Sequence, residues 1–94
     1  MITHIVCFKY KAETPESVRA DHRERLRGLK GLEQVVSLTV GVDVVHSARS
    51  YDTALVVLFR DRAGLDSYQK DPHHVPVAQH GASLCDSVVT VDFE

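Results

Sequence analysis

The sequence predicts an α+β fold of order β-α-β-β-α-β, a four-stranded antiparallel sheet under two crossover helices. Three observations carry it. Four stretches alternate side chains at period two, and two stretches repeat apolar residues at helical spacing. The middle two strands are joined by the short polar connection His46-Ser47-Ala48-Arg49-Ser50, which suits an antiparallel hairpin.

The first strand runs from Ile2 to Tyr10. Ile2, His4, Val6, Phe8 and Tyr10 share one face; Thr3, Ile5, Cys7 and Lys9 share the other. Thr14-Pro15-Glu16 then predicts a helix start, with Thr14 as cap, Pro15 in the first helical position and an acid in the first turn. Val18, His22, Leu26 and Leu29 recur along one stripe, and the arginines beside them read as a solvated face. Asp21 and Arg25 are spaced to pair, and Gly31 predicts the stop.

Glu33 to Val45 reads as the second strand, with Val36, Leu38, Val40, Val42 and Val44 on one side. Gly41 inside it suggests a bulge or a close approach. Tyr51 to Arg60 reads as the third strand, apolar on both faces. Asp61 predicts the cap of a second helix carrying Ala63, Leu65 and Tyr68 inward and ending before Pro72. Val75 to Leu84 is ambiguous, a loop followed by a helical turn being one reading. Ser87 to Phe93 alternates as the fourth strand. The order is that of the ferredoxin-like arrangement.

Ninety-four residues make one domain, expected to span 1–94. A chain this short buries roughly 60–65% of its unfolded surface, so its core is marginal without a disulfide, a metal or a partner. A net charge of −2 offers nothing to a polyanion, so no nucleic-acid partner is expected. Cys7 and Cys85 fit no metal or redox spacing and read as small buried hydrophobes, with a disulfide between them left open. No segment has the length of a membrane span, and Ile2–Phe8 lacks the marks of a signal peptide. The cytoplasm is the default expectation.

The strands also predict a partner. Helices cover one face of an open sheet, and a solvated second face should be polar at alternate positions. The first and third strands are apolar on both faces, and no spare segment remains to cover the second. A second copy packed face to face would cover it and build a barrel between protomers.

One short stretch concentrates chemistry: Tyr68-Gln69-Lys70-Asp71-Pro72-His73-His74-Val75. A proline break would leave both histidines on an exit loop beside the tyrosine, and imidazole is the side chain suited to moving protons near neutral pH.

These residues resemble a known family. The opening His4-Ile5-Val6-Cys7-Phe8-Lys9-Tyr10, the segment Gly41-Val42-Asp43, the strand from Ser50 to Phe59 and the ending Val91-Asp92-Phe93 are similar to the stress-responsive α/β-barrel domain, a dimeric ferredoxin-like family. The most specific piece is Tyr68 with Pro72 and His74, similar to that family's tyrosine–proline–histidine signature. Lys30-Gly31-Leu32-Glu33 departs from the proline-glycine turn common among relatives.

The resemblance implies two kinds of function. One is a dimeric stress-induced protein that holds a small apolar ligand in the barrel. The other is a cofactor-independent polyketide cyclase or lyase. In the second, His74 would be the base that removes an α-proton, Tyr68 would hold the substrate carbonyl, and His4 would lie nearby. Each residue also has a plainer reading. His74 is then a helix-end histidine bonded to backbone, Tyr68 a core residue with its hydroxyl on a partner, and His4 a satisfied core histidine. On the His4 face, a barrel lining would give the imidazole Tyr68 or His74 as partner.

No metal is expected. His73 and His74 are adjacent and diverge, His80 is apart, and no carboxylate or cysteine stands at ligand spacing. His22 reads as packing and His46 as solvated. No glycine-rich phosphate loop or Ser-His-Asp order occurs, so no cofactor is expected. The absence of tryptophan leaves a monooxygenase reading behind the other two.

Overall fold

A computed structural model describes residues Met1 to Glu94. Strand β1 (Ile2–Tyr10) leads into helix α1 (Glu16–Arg27), whose end tightens into a 3-10 turn over Gly28–Gly31. Strands β2 (Ser37–Val42) and β3 (Thr53–Phe59) follow, then helices α2 (Arg62–Lys70) and α3 (His74–Leu84), then strand β4 (Cys85–Phe93). The sheet order is β2-β3-β1-β4, with all neighbours antiparallel. This is the ferredoxin-like α+β frame, with two helices in the second crossover where one was expected.

Register keeps the two faces of the sheet distinct. His4 lies opposite Val57 on one side and Asp92 on the other; Ile5 lies opposite Val56 and Val91. The face holding His4, Val57 and Leu55 is buried under the helices, where Phe8, Leu26 and Phe59 join the core. The other face carries no covering element. Val56, Val89, Val91 and Phe93 stand on it with exposures from 37% to 60%, beside half-buried Ile5 and Cys7. The two-faced character of the strands is therefore real, and one copy leaves an apolar face uncovered.

Several expectations are corrected at this level. Helix α1 begins one residue late, with Pro15 rather than Thr14 in the cap position. The Pro15 carbonyl accepts from the Val18 and Arg19 amides, both at 3.1 Å, and the Thr14 hydroxyl instead donates to the Leu84 carbonyl. The arginine face is not wholly solvated. Arg23 is buried, with its guanidinium 2.6 Å from Glu16 and 3.4 Å from the Thr53 hydroxyl. Arg25 pairs with Asp21 at 2.8 Å, as expected.

Strands β2 and β3 are shorter than their valine content suggested. Pairing ends as the Asp43 amide reaches the Asp52 carbonyl at 3.0 Å, and the chain then turns through His46 at a φ of 56°. Val44 and Val45 are left in a loop, 86% and 71% exposed. β-Branched residues favour strands only where a neighbour completes the ladder.

Asp61 caps α2 as expected. Its carboxylate accepts from the Gly64 amide at 2.8 Å, a cap worth about 1 kcal/mol. Val75 to Leu84 is continuous helix, not a loop. Both cysteines are free. Cys85 is buried as expected, while Cys7 is only half-buried on the uncovered face. No helix is long and apolar enough to cross a membrane.

Candidate functional site

The signature segment is a tight helix-to-helix corner. Asp71 precedes a proline and is extended, at φ −62° and ψ 130°, which ends α2. The same residue starts α3. Its carbonyl accepts from the His74 and Val75 amides at 2.9 and 3.0 Å, and its carboxylate accepts from the His73 amide at 2.8 Å. The bond from the His73 amide is the main cause that holds the Asp71 carboxyl below the usual carboxylate range, with the Gln34 and His73 side chains acting in the same direction. His74 is therefore the first residue of α3 and not part of an exit loop. An acid followed by proline marks helix starts as well as stops, and that signal was present in Asp71-Pro72.

The corner places His74 against Tyr68. Their ring centroids are 4.2 Å apart, and Tyr68 also packs on Phe59 at 4.9 Å. Tyr68 is fully buried, and its hydroxyl has no hydrogen-bond partner. Burial raises its pKa far above that of an ordinary phenol, so the hydroxyl keeps its proton. The Nδ1 of His74 is also buried without a partner. Burial lowers its pKa, partly offset by the Gln69 backbone carbonyl, so the ring is neutral at pH 7.

His4 completes the group from the sheet side, its ring 6.1 Å from those of both Phe59 and Tyr68. It faces the helices. The expectation that His4 would line a chamber between protomers is thus corrected, because β1 turns this face toward α2. Nor does His4 use Tyr68 or His74 as its partner. Its Nδ1 bonds to the carboxylate of Asp92, its cross-strand neighbour on β4. In the sequence Asp92 stands out only as part of the alternating, family-like ending Val91-Asp92-Phe93, because its pairing with His4 depends on strand register.

His4, Tyr68 and His74 line one cavity of about 150 Å³, bounded by Val6, Leu55 and Val77 among others. An apolar cavity of that size admits a molecule such as benzene. Gln69 of α2, Ala78 of α3, and Val88 and Thr90 of β4 are its exposed lining residues. None of the lining residues is an acid, a lysine or an arginine.

The remaining histidines lie elsewhere. His73 and His46 are exposed, each beside an aspartate. His22 is buried beside Tyr10 at the other end of the sheet, and His80 lies 5.9 Å from it. No group of three or more His, Cys, Asp or Glu side chains is placed to hold a metal ion.

Solved structures share this architecture. A dimeric protein of unknown function with a ferredoxin-like fold from Bacteroides fragilis superposes with a TM-score of 0.85 at 23% identity, over 99% of this chain and 94% of that one. A dimeric ferredoxin-like protein from Thermobifida fusca gives 0.88 at 24% identity, over 98% and 88%. The hydroxynitrile lyase of Passiflora edulis gives 0.89 at 16% identity, over 98% and 90%. At such identities the likeness establishes the fold. Because the set ranges from proteins of unknown function to a lyase, the fold alone assigns no chemistry. No curated protein matches the chain in sequence. The family model for the stress-responsive A/B barrel domain matches residues 2–94, the span that holds the sheet, the corner and all three site residues, and the protein belongs to that family.

Proposed function

We propose that this protein is a homodimer that binds a compact, neutral, mostly apolar small molecule in the cavity under its helices. One observation carries the ligand reading. The Tyr68 hydroxyl and the His74 Nδ1 are both buried without a protein partner, and both residues line the same apolar cavity. An unpaired buried polar group costs on the order of 1–3 kcal/mol; a ligand carbonyl would recover it at the Tyr68 hydroxyl, and a ligand hydroxyl, which also donates, at the His74 Nδ1 as well. The missing lining charge argues against phosphates and carboxylates. The preferred ligand carries one carbonyl or hydroxyl on a body of about ring size.

Acetophenone is a suitable probe, followed through ring-proton shifts of Tyr68 and His74. The native protein should bind it, and Tyr68→Phe should weaken binding roughly 5- to 10-fold, the loss of one neutral hydrogen bond. Equal affinity in the two proteins would remove Tyr68 from the ligand reading.

A second reading is favoured by the protonation states of the pair. A neutral imidazole is a competent base, and a phenol that keeps its proton is a competent donor to an oxygen gaining enolate charge. In that reading His74 takes an α-proton from a carbonyl substrate, and Tyr68 holds its oxygen, without metal or organic cofactor. Aldol-type ring closure or lyase chemistry on ketide-like substrates is the class to screen. A rate unchanged in His74→Ala would exclude it.

The dimer rests on the uncovered apolar face, and its occupant is a second copy of this chain. Sedimentation at micromolar concentration should give twice 10.5 kDa, and Val56→Asp together with Val91→Asp should give the monomer mass. A native monomer would refute it.

A further inference from the structure

A second tyrosine–histidine pair lies under the helices, away from the candidate site. His22 of α1 is fully buried. Its Nδ1 is 2.7 Å from the Tyr10 hydroxyl, which is 3.0 Å from the Thr53 hydroxyl. Its Nε2 has no partner and faces α3. There it meets Gly81 so closely that a Cβ on that glycine would stand 2.7 Å from Nε2 and 3.4 Å from the Phe8 ring. Only a residue without a side chain lets α3 lie this near.

The tautomer follows from the neighbours. With Tyr10 donating to Thr53, the Tyr10 oxygen accepts from Nδ1–H, and Nε2 presents a lone pair to the Gly81 backbone. A proton on Nε2 would have no acceptor in this dry contact. The charged and titratable groups around the ring offer little help. Tyr10 approaches from β1 and His80 from α3, while β3 contributes only the neutral Thr53. Arg23 and Arg25 of its own helix disfavour a cation, and Asp21 alone favours one.

We propose that His22 is a positioning residue for the candidate site: as a neutral imidazole seated against Gly81 it fixes α3, and through α3 it fixes His74, so that protonating it releases the helix. Burial, the first cause, pushes its pKa down to about 4, with His80 and the two arginines acting in the same direction. Gly81 and His74 lie on one helix, about 10 Å apart along its axis. Val77 and Ala78, between them, line the cavity. A shift of α3 would therefore move the His74 end and the cavity wall together. The link to ligand binding rests on the function proposed above; the seating of α3 does not.

The test separates the two. Amide-exchange protection of α3, referred to that of α2, reads the seating, and the acetophenone shift reads the pocket. Gly81→Ala should lower α3 protection at least ten-fold and move the His74 ring resonances. His22→Asn keeps a donor toward Tyr10, removes the outer half of the ring and cannot titrate. Adding it to Gly81→Ala should restore protection to within about two-fold. In the native protein, α3 protection should fall as pH drops from 6.5 toward 4, and in His22→Asn only the smaller fall set by His74 should remain. Normal protection in Gly81→Ala, no rescue by the second substitution, or a pH response as large in His22→Asn as in the native protein would each overturn the proposal. If Gly81→Ala does not fold, the pH comparison of native protein and His22→Asn decides it. Loss of α3 protection in a protein that never binds acetophenone would sink the ligand reading and leave the positioning role standing.

Discussion

The helical layer sits over two tyrosine–histidine pairs that differ in one respect. At one end, Tyr10 and His22 share a 2.7 Å hydrogen bond, and Thr53 takes the next place in the chain. At the other end, Tyr68 and His74 stack at 4.2 Å without bonding, beside a cavity. Both tyrosines are buried. The first pair uses the Tyr10 hydroxyl and the His22 Nδ1 to hold β1, β3 and α1 together, and only the His22 Nε2, seated against Gly81, goes without a partner. The second leaves a donor and an acceptor idle, at a cost the fold bears with no structural return. That contrast separates a framework from a site more sharply than residue type does.

The contrast is sharpest in stability. His22→Ala should cost about 2–4 kcal/mol in urea unfolding, since it opens a cavity and removes the Nδ1 partner of the Tyr10 hydroxyl. His74→Ala, at the half-exposed start of α3, should cost about 1 kcal/mol. Similar losses at both ends would break the comparison.

Acid should act next. The His22 pKa is near 4 in the folded protein against about 6.5 unfolded. Above pH 6.5 both states are neutral there, and the stabilisation is complete. As pH falls below 6.5 the unfolded chain takes up a proton that the folded one refuses, so stability declines, by on the order of 3 kcal/mol at pH 4. His74 is lowered by burial too and adds in the same direction. Urea midpoints between pH 7 and 4 check this; a flat profile contradicts it.

The tyrosines give the smallest effect. Tyr10→Phe should lose about 1–2 kcal/mol with its two hydrogen bonds, whereas Tyr68→Phe should be neutral or gain up to about 1 kcal/mol, because its hydroxyl satisfies nothing. Thermal or urea denaturation of the two variants provides the comparison, and a clear loss in Tyr68→Phe would mean its hydroxyl has a structural partner.

Much of this was legible in the chain. Alternation in Ile2–Tyr10 and Ser87–Phe93 and the stripe through His22, Leu26 and Leu29 are local patterns, and they specified the sheet, the first helix and the uncovered face. Tyr68 and His74 were legible as a pair because only four residues and a proline separate them. The rest depended on placement. Asp92 meets His4 only through antiparallel register between strands at opposite ends of the sequence. Gly81 reads as a weak spot in a helix until α1 is seen pressing on it. The face to which His4 belongs could be listed from alternation, but not the side of the sheet the helices would choose. Val44 and Val45 look like strand because β-branching is visible in sequence and the end of a partner strand is not.

With no tryptophan in the chain and only three tyrosines, near-ultraviolet emission comes from phenols alone. Tyr68 sits between the Phe59 and His74 rings, in an environment unlike that of Tyr51, which is partly open and bonded to Ser87. A guest reaching its hydroxyl would alter the yield of that one fluorophore, so the unmodified protein carries its own optical reporter of occupancy, with Tyr68→Phe as the blank.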